Sequence, residues 1–119
     1  DSITLPLLAQ FAETAEYYST AFHELTHSTG HASRLNRLEK TAFFGTEAYS
    51  KEELVAEIGA ASALRQLGVD TAASLKNSAA YIQSWLRALK NDKKMIVWAA
   101  SRAEKAVNMI FDASVIPQF

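Results

Sequence analysis

The sequence contains no cysteine. That excludes disulfide scaffolds, thiol nucleophiles and thiolate-held metal. It is compatible with a reducing cytoplasm, which is the compartment we expect. Only 4 Gly and 2 Pro interrupt 119 residues, so long helices should dominate. No apolar run approaches the roughly 18 residues of a membrane span, and no membrane partner is expected. Neither charge is in excess: 12 basic and 13 acidic side chains leave a net charge of −1. A domain so balanced has no overall field with which to hold nucleic acid. The chain lacks an initiator Met, and its opening Asp1-Ser2-Ile3-Thr4-Leu5-Pro6 has no basic flank or signal-type core. We expect one domain taken from a longer protein, since the length leaves room for a single core.

What is present suits a helical fold. The 49% hydrophobic content is enough for a core and argues against disorder. Ser2 to Leu7 first alternates, then meets Pro6, which allows only an edge strand or an extended lead-in. A helical pattern runs from about Glu13 to Gly30, where glycine marks the stop. Residues 31–49 are irregular. A second helix is expected from about Ser50 to Leu67, opened by a capping box at Ser50 to Glu53 and closed by Gly68. A third should run from near Ser74 to near Asn91, with Ile82, Trp85, Leu86 and Leu89 on one stripe. A fourth starts around Asp92, carries Ile96, Ala99, Ala103, Val107 and Ile110 inward, and is closed by Pro117. The expected class is mostly α, with at most a small sheet element from Ser2–Leu7.

The chemistry lies in His23-Glu24-Leu25-Thr26-His27. Two histidines four apart on a helix share one face, one turn from each other. Both imidazoles can then reach one tetrahedral metal ion. Glu24 points about 100° around the helix, towards a metal-bound water rather than the metal. This is the zinc metallopeptidase pattern. Chance would place two histidines and a glutamate on an otherwise apolar segment without partners, which burial makes costly.

A catalytic zinc site has three protein ligands and one open position. A third histidine ten residues after His23 would fall at Ser33, and His31 comes two residues early. A carboxylate from a following helix remains. Glu53 and Glu57 are four apart, on a stripe continued by Ala60, Leu64 and Leu67. Inward carboxylates need a cation or donors. Either can be the ligand. We prefer Glu53 as ligand, with Glu57 accepting the free N–H of a metal-bound histidine. Zn2+ suits this donor set best, though Mn2+, Co2+ or Ni2+ could occupy it.

Further blocks follow in order: Tyr17-Tyr18-Ser19-Thr20, Arg34-Leu35-Asn36-Arg37, Phe44-Gly45, Tyr49, Glu52-Glu53-Leu54-Val55-Ala56-Glu57, Ala80-Tyr81-Ile82 and Trp85-Leu86. With the histidine motif, they make the whole chain resemble the C-terminal zincin-like metallopeptidase domain of ArdC-type antirestriction proteins. The resemblance implies a minimal zincin over residues 1–119. It implies an N-terminal partner domain, absent here, through which alone single-stranded DNA would be bound. It also implies protection of incoming plasmid DNA from host restriction, and metal ligation by His23, His27 and Glu53.

If active, the domain would hydrolyse peptide bonds of a protein or peptide substrate, with Glu24 moving the proton. His31 and Tyr49 are candidate donors to the developing oxyanion. The alternative is a non-catalytic, zinc-stabilised module that holds a partner protein. Trp85 and Trp98 are expected in the core, and at least one of Tyr17 and Tyr18 should pack inside. Arg34 and Arg37, beside Glu39, are expected in a solvated loop with weak ion pairs. Lys90 to Lys94 should form a polar turn between helices.

Overall fold

A computed structural model describes residues 3–5, 7, 14–38 and 44–112. It contains four helices: α1 (Thr14–Thr29), α2 (Glu47–Leu67), α3 (Ala72–Ala88) and α4 (Lys94–Phe111). There is no strand among the described residues. Ile3 to Leu5 and Leu7 are irregular, while Ser2 and Pro6 of the expected strand lie outside the described residues. So do Glu13 and Pro117, the expected ends of the first and last helices.

The helix starts differ from expectation because a better-placed cap competes. Thr46, in extended conformation, accepts the Tyr49 N–H at 3.1 Å and starts α2 earlier. Ser50 is therefore buried inside the helix, and the Ser50–Glu53 capping box does not form. Glu53 is thereby released from a capping role. Thr71 caps α3, and Ser74 becomes the returning member of that box rather than the first residue. Gly68 takes a left-handed φ of 71° after α2, where a side chain would be strained. The α3–α4 turn uses the same conformation at Lys90 and Asn91.

Helix α2 is central, and the other three pack on it. Leu54 and Val55 meet Leu89, Ala99 and Ala103, with Trp85 and Trp98 half-buried against them. On the other flank Ala60, Ala63 and Leu64 pack with Phe22 and Phe111, whose rings are 5.8 Å apart. Leu67 and Ile96 leave their expected stripes and are exposed, both lying in the terminal turns of their helices. Neither tyrosine of α1 is fully buried. Tyr17 is half-covered, and Tyr18 is exposed with its ring edge-on to it.

The crossing of α1 and α2 is set by Gly59. A Cβ there would stand 2.7 Å from Thr26 Oγ1 and 2.8 Å from Thr26 Cγ2. Thr26 is fully buried, and its hydroxyl donates to the Phe22 carbonyl at 2.7 Å. Gly59→Val should therefore part the helices and cost about 1–3 kcal/mol by overpacking. A urea unfolding curve reads this as a lowered midpoint. An unshifted midpoint would mean that the crossing can open freely.

Candidate metal centre

The α1–α2 crossing brings the two histidines against a row of carboxylates. His23 Nε2 lies 3.0 Å from Glu53 Oε2, and His27 Nε2 lies 3.1 Å from Glu53 Oε1. The two Nε2 atoms are 3.1 Å apart. A metal with ligand bonds of about 2.0–2.1 Å in tetrahedral array separates its ligands by roughly 3.3 Å. The three groups therefore already stand close to ligand spacing. His23, His27 and Glu53 are a group able to hold one metal ion, with ligand atoms within 4.8 Å of one another.

The outward ring nitrogens are anchored too. His23 Nδ1 faces Glu57 Oε1 at 3.2 Å. His27 Nδ1 faces Glu52 Oε2 at 2.7 Å. Carboxylates in these places keep the proton on Nδ1, so that a metal displacing the Nε2 protons would find both Nε2 lone pairs converging on it. Glu52 is also gripped by Arg37, Nε to Oε1 at 2.6 Å and a terminal nitrogen to Oε2 at 3.0 Å. The same guanidinium donates to the Thr26 carbonyl at 2.7 Å and to Thr29 Oγ1 at 3.2 Å. Arg37 is thus a buried strap across the end of α1, not a solvated loop residue. Arg34 also folds back, donating to the Ser28 carbonyl at 2.6 Å. Gly30 permits this return: a Cβ there would meet Leu38 Cγ at 2.9 Å.

The chain matches the zincin-like metallopeptidase family over residues 1–102. It belongs to that family. Two Escherichia coli relatives named DNA primase TraC are 47% and 44% identical over 88% and 92% of this chain, which covers 7% and 10% of their lengths. An uncharacterised Sinorhizobium fredii protein is 35% identical over 88% of the chain and is 34% covered. Among solved structures, the Mn(II)-bound antirestriction ArdC protein of the R388 plasmid is 47% identical, with a TM-score of 0.64. The match takes in 87% of this chain and 38% of that one. The metal-free ArdC structure gives a TM-score of 0.60. The chain thus spans a small part of the primases and little more than a third of ArdC.

In this zincin the other expected residues part company. Glu24 is half-buried, and no hydrogen bond or ion pair holds its carboxylate among the described residues. Tyr49 comes to the site: its phenol lies near enough to feel the charges of Glu53 and Glu24. Its ring stands edge-on to Trp85, 5.8 Å away. Burial, Glu53 and Glu24 push the phenol up, so it remains a proton donor. His31 does not reach the site. It is exposed, and its Nδ1 pairs with Ser33 Oγ at 2.9 Å and Ser33 N at 3.1 Å. The chain turns outward after Thr29, so helical spacing no longer sets its direction. Glu52 is the site residue that the sequence did not single out.

Charge is concentrated here. Burial opposes a charged His23, but the bonds to Glu53 and Glu57 outweigh it and raise the ring from 6.5 to about 10. His27 is likewise raised to about 9, against burial, by Glu52 and Glu53. Glu53 resists burial and is held down at about 2 by the two imidazoles. Raised histidines stabilise the metal-free fold fully below 6.5, and that contribution is lost as pH climbs through about 9 and 10. Depressed Glu53 contributes above 4.5, and this is lost as pH falls towards about 2. Metal-free protein should melt highest between pH 4.5 and 6.5. Thermal melts across pH check this, and a maximum above pH 8 would contradict it.

Arg37→Met removes one partner from a buried ion pair. Such a loss costs about 3–5 kcal/mol. With Glu52 released, metal affinity at His27 should fall about 10–100-fold. Denaturation and metal titration of the same variant read the two effects separately. Unchanged affinity would mean that Glu52 does not orient His27.

Proposed function

We propose that this domain is a zinc-dependent peptidase that hydrolyses peptide bonds of a protein substrate. The observation that carries it is the convergence of His23 Nε2, His27 Nε2 and the Glu53 carboxylate, with both outer nitrogens anchored. A zinc ion bound there supplies a Lewis acid for the scissile carbonyl and an acidified water. His23 and His27 offer their Nε2 lone pairs only while Glu57 and Glu52 hold the Nδ1 protons. Glu24, which follows His23 on α1 and has no hydrogen bond or ion pair among the described residues, takes a proton from the attacking water and later delivers it to the leaving amine. Oxygen is thereby bonded to the carbonyl carbon, and the C–N bond breaks with its nitrogen protonated. The Tyr49 phenol donates towards the oxygen that gains charge.

Identity with ArdC supports placing the domain in an antirestriction protein of a mobile genetic element in the bacterial cytoplasm. There it would form one domain of a longer chain, with single-stranded DNA held by another. The net charge of −1 agrees with that division. No described helix is long and apolar enough to cross a membrane.

The test is zinc titration of metal-free protein under native mass spectrometry, with cleavage of a proteome-derived peptide library followed in parallel. One zinc per chain and cleavage that a chelator abolishes are expected. Failure to take up metal, or uptake with no cleavage, would overturn the proposal.

A further inference from the structure

Helices α1 and α3 scarcely touch. Between them a cleft of about 460 Å3 opens onto the metal centre. That is within the roughly 300–1,000 Å3 of ligand pockets. One wall is the α1 face Glu16, Ser19, Thr20 and His23, the i, i+3, i+4, i+7 positions of one helix side. The other includes Asn77 and Ser78 of α3, and Glu57 of α2 also lines it. The His23 ring is thus shared between the cleft and the metal centre.

The lining selects the sign of an occupant. Among the described residues it holds two carboxylates and no lysine or arginine. Glu57 is engaged by His23, but the half-buried Glu16 carboxylate has no partner among the described residues. Ser78 is only 7% exposed as a residue, and its hydroxyl, which makes no hydrogen bond among the described residues, is left open to the cleft that it lines. Such a hydroxyl is free to accept from an occupant of the cleft. The hydroxyls of Ser19 and Thr20 and the Asn77 amide add further acceptors. An ammonium or guanidinium has donors only and needs acceptors around a negative charge.

We propose that this cleft binds a lysine or arginine side chain of the peptide substrate, seating it beside the metal centre. Glu16 pairs with the cation, and Ser78 accepts one of its N–H groups. The proposal rests on the peptidase function above, and two measurements separate them.

The first is binding without turnover. Fluorescent, otherwise uncharged octapeptides with a central Arg, Lys, Leu or Glu are titrated into zinc-loaded protein carrying Glu24→Ala. Arg and Lys peptides should bind about tenfold more tightly than the others, equivalent to about 1.4 kcal/mol. Adding Glu16→Lys should erase that preference at unchanged zinc content. Glu16→Gln takes its place if the charge reversal fails to load metal. Equal affinity for all four peptides, or a preference that survives both Glu16 variants, would overturn the proposal. The second is cleavage of the same peptides by the unaltered protein. Faster cleavage of the basic peptides is expected. No cleavage with the binding preference intact would sink the peptidase function alone. Cleavage of all four at equal rates would sink the cleft assignment alone.

Discussion

Glu53→Ala protein should bind zinc far more weakly than the unaltered chain, beyond the roughly 10–100-fold that follows loss of a residue anchoring a ligand. Glu53 places one oxygen against each Nε2 and supplies the negative charge of the triangle. Without it, two imidazole nitrogens 3.1 Å apart are left to share a dication. The effect reaches stability, because a ligand that binds only the folded state stabilises it by mass action. At a thousand times the dissociation constant this amounts to about 4 kcal/mol. Zinc should raise the melting temperature of the unaltered protein and leave that of Glu53→Ala nearly unmoved. Competition with a chelator of known affinity gives the binding constants. Glu57→Ala is the comparison, and its loss should stay near the 10–100-fold range. A larger loss in Glu57→Ala than in Glu53→Ala would make Glu57 the ligand.

Glu24→Ala should divide the two properties in the opposite way. Zinc content should stay at that of the unaltered chain, while turnover falls about 10²–10⁴-fold, the usual contribution of a positioned acid–base group. Glu24 is absent from the convergent ligand group, so its removal leaves the triangle whole. Its half-buried carboxylate has no competing partner among the described residues. Elemental analysis and peptide cleavage on one preparation decide the matter. Retained turnover would remove Glu24 from the mechanism, and lost zinc would give it a structural role.

Much of this centre was legible in the sequence because helical spacing is a reliable ruler within one helix. His23 with His27, and Glu53 with Glu57, each share a face at a separation of four. The ruler fails where helices end. His31 lies two residues beyond α1, and the turn there carries it to Ser33 instead of the metal centre. It also fails at competing caps. Ser50 with Glu53 satisfies the capping pattern locally, but Thr46 starts α2 one turn sooner. Glu52 escaped the ruler altogether. Its role depends on Arg37, fifteen residues earlier, folding back under α1. Such a pairing across a loop leaves no periodic trace. Inward stripes were readable in their middles and failed at their ends, at Leu67 and Ile96, in the terminal turns of α2 and α4.

The three carboxylates that meet the histidines, Glu52, Glu53 and Glu57, all ride on α2. Both histidines ride on α1. Every contact that aims the imidazoles therefore joins the same two rigid bodies, and one sliding coordinate governs them together. A displacement of α2 by a single turn would not loosen the centre by degrees. It would exchange all partners at once, with Glu57 brought near the place of Glu53. The centre is in this sense a gauge of helix register, assembled or dismantled as a unit.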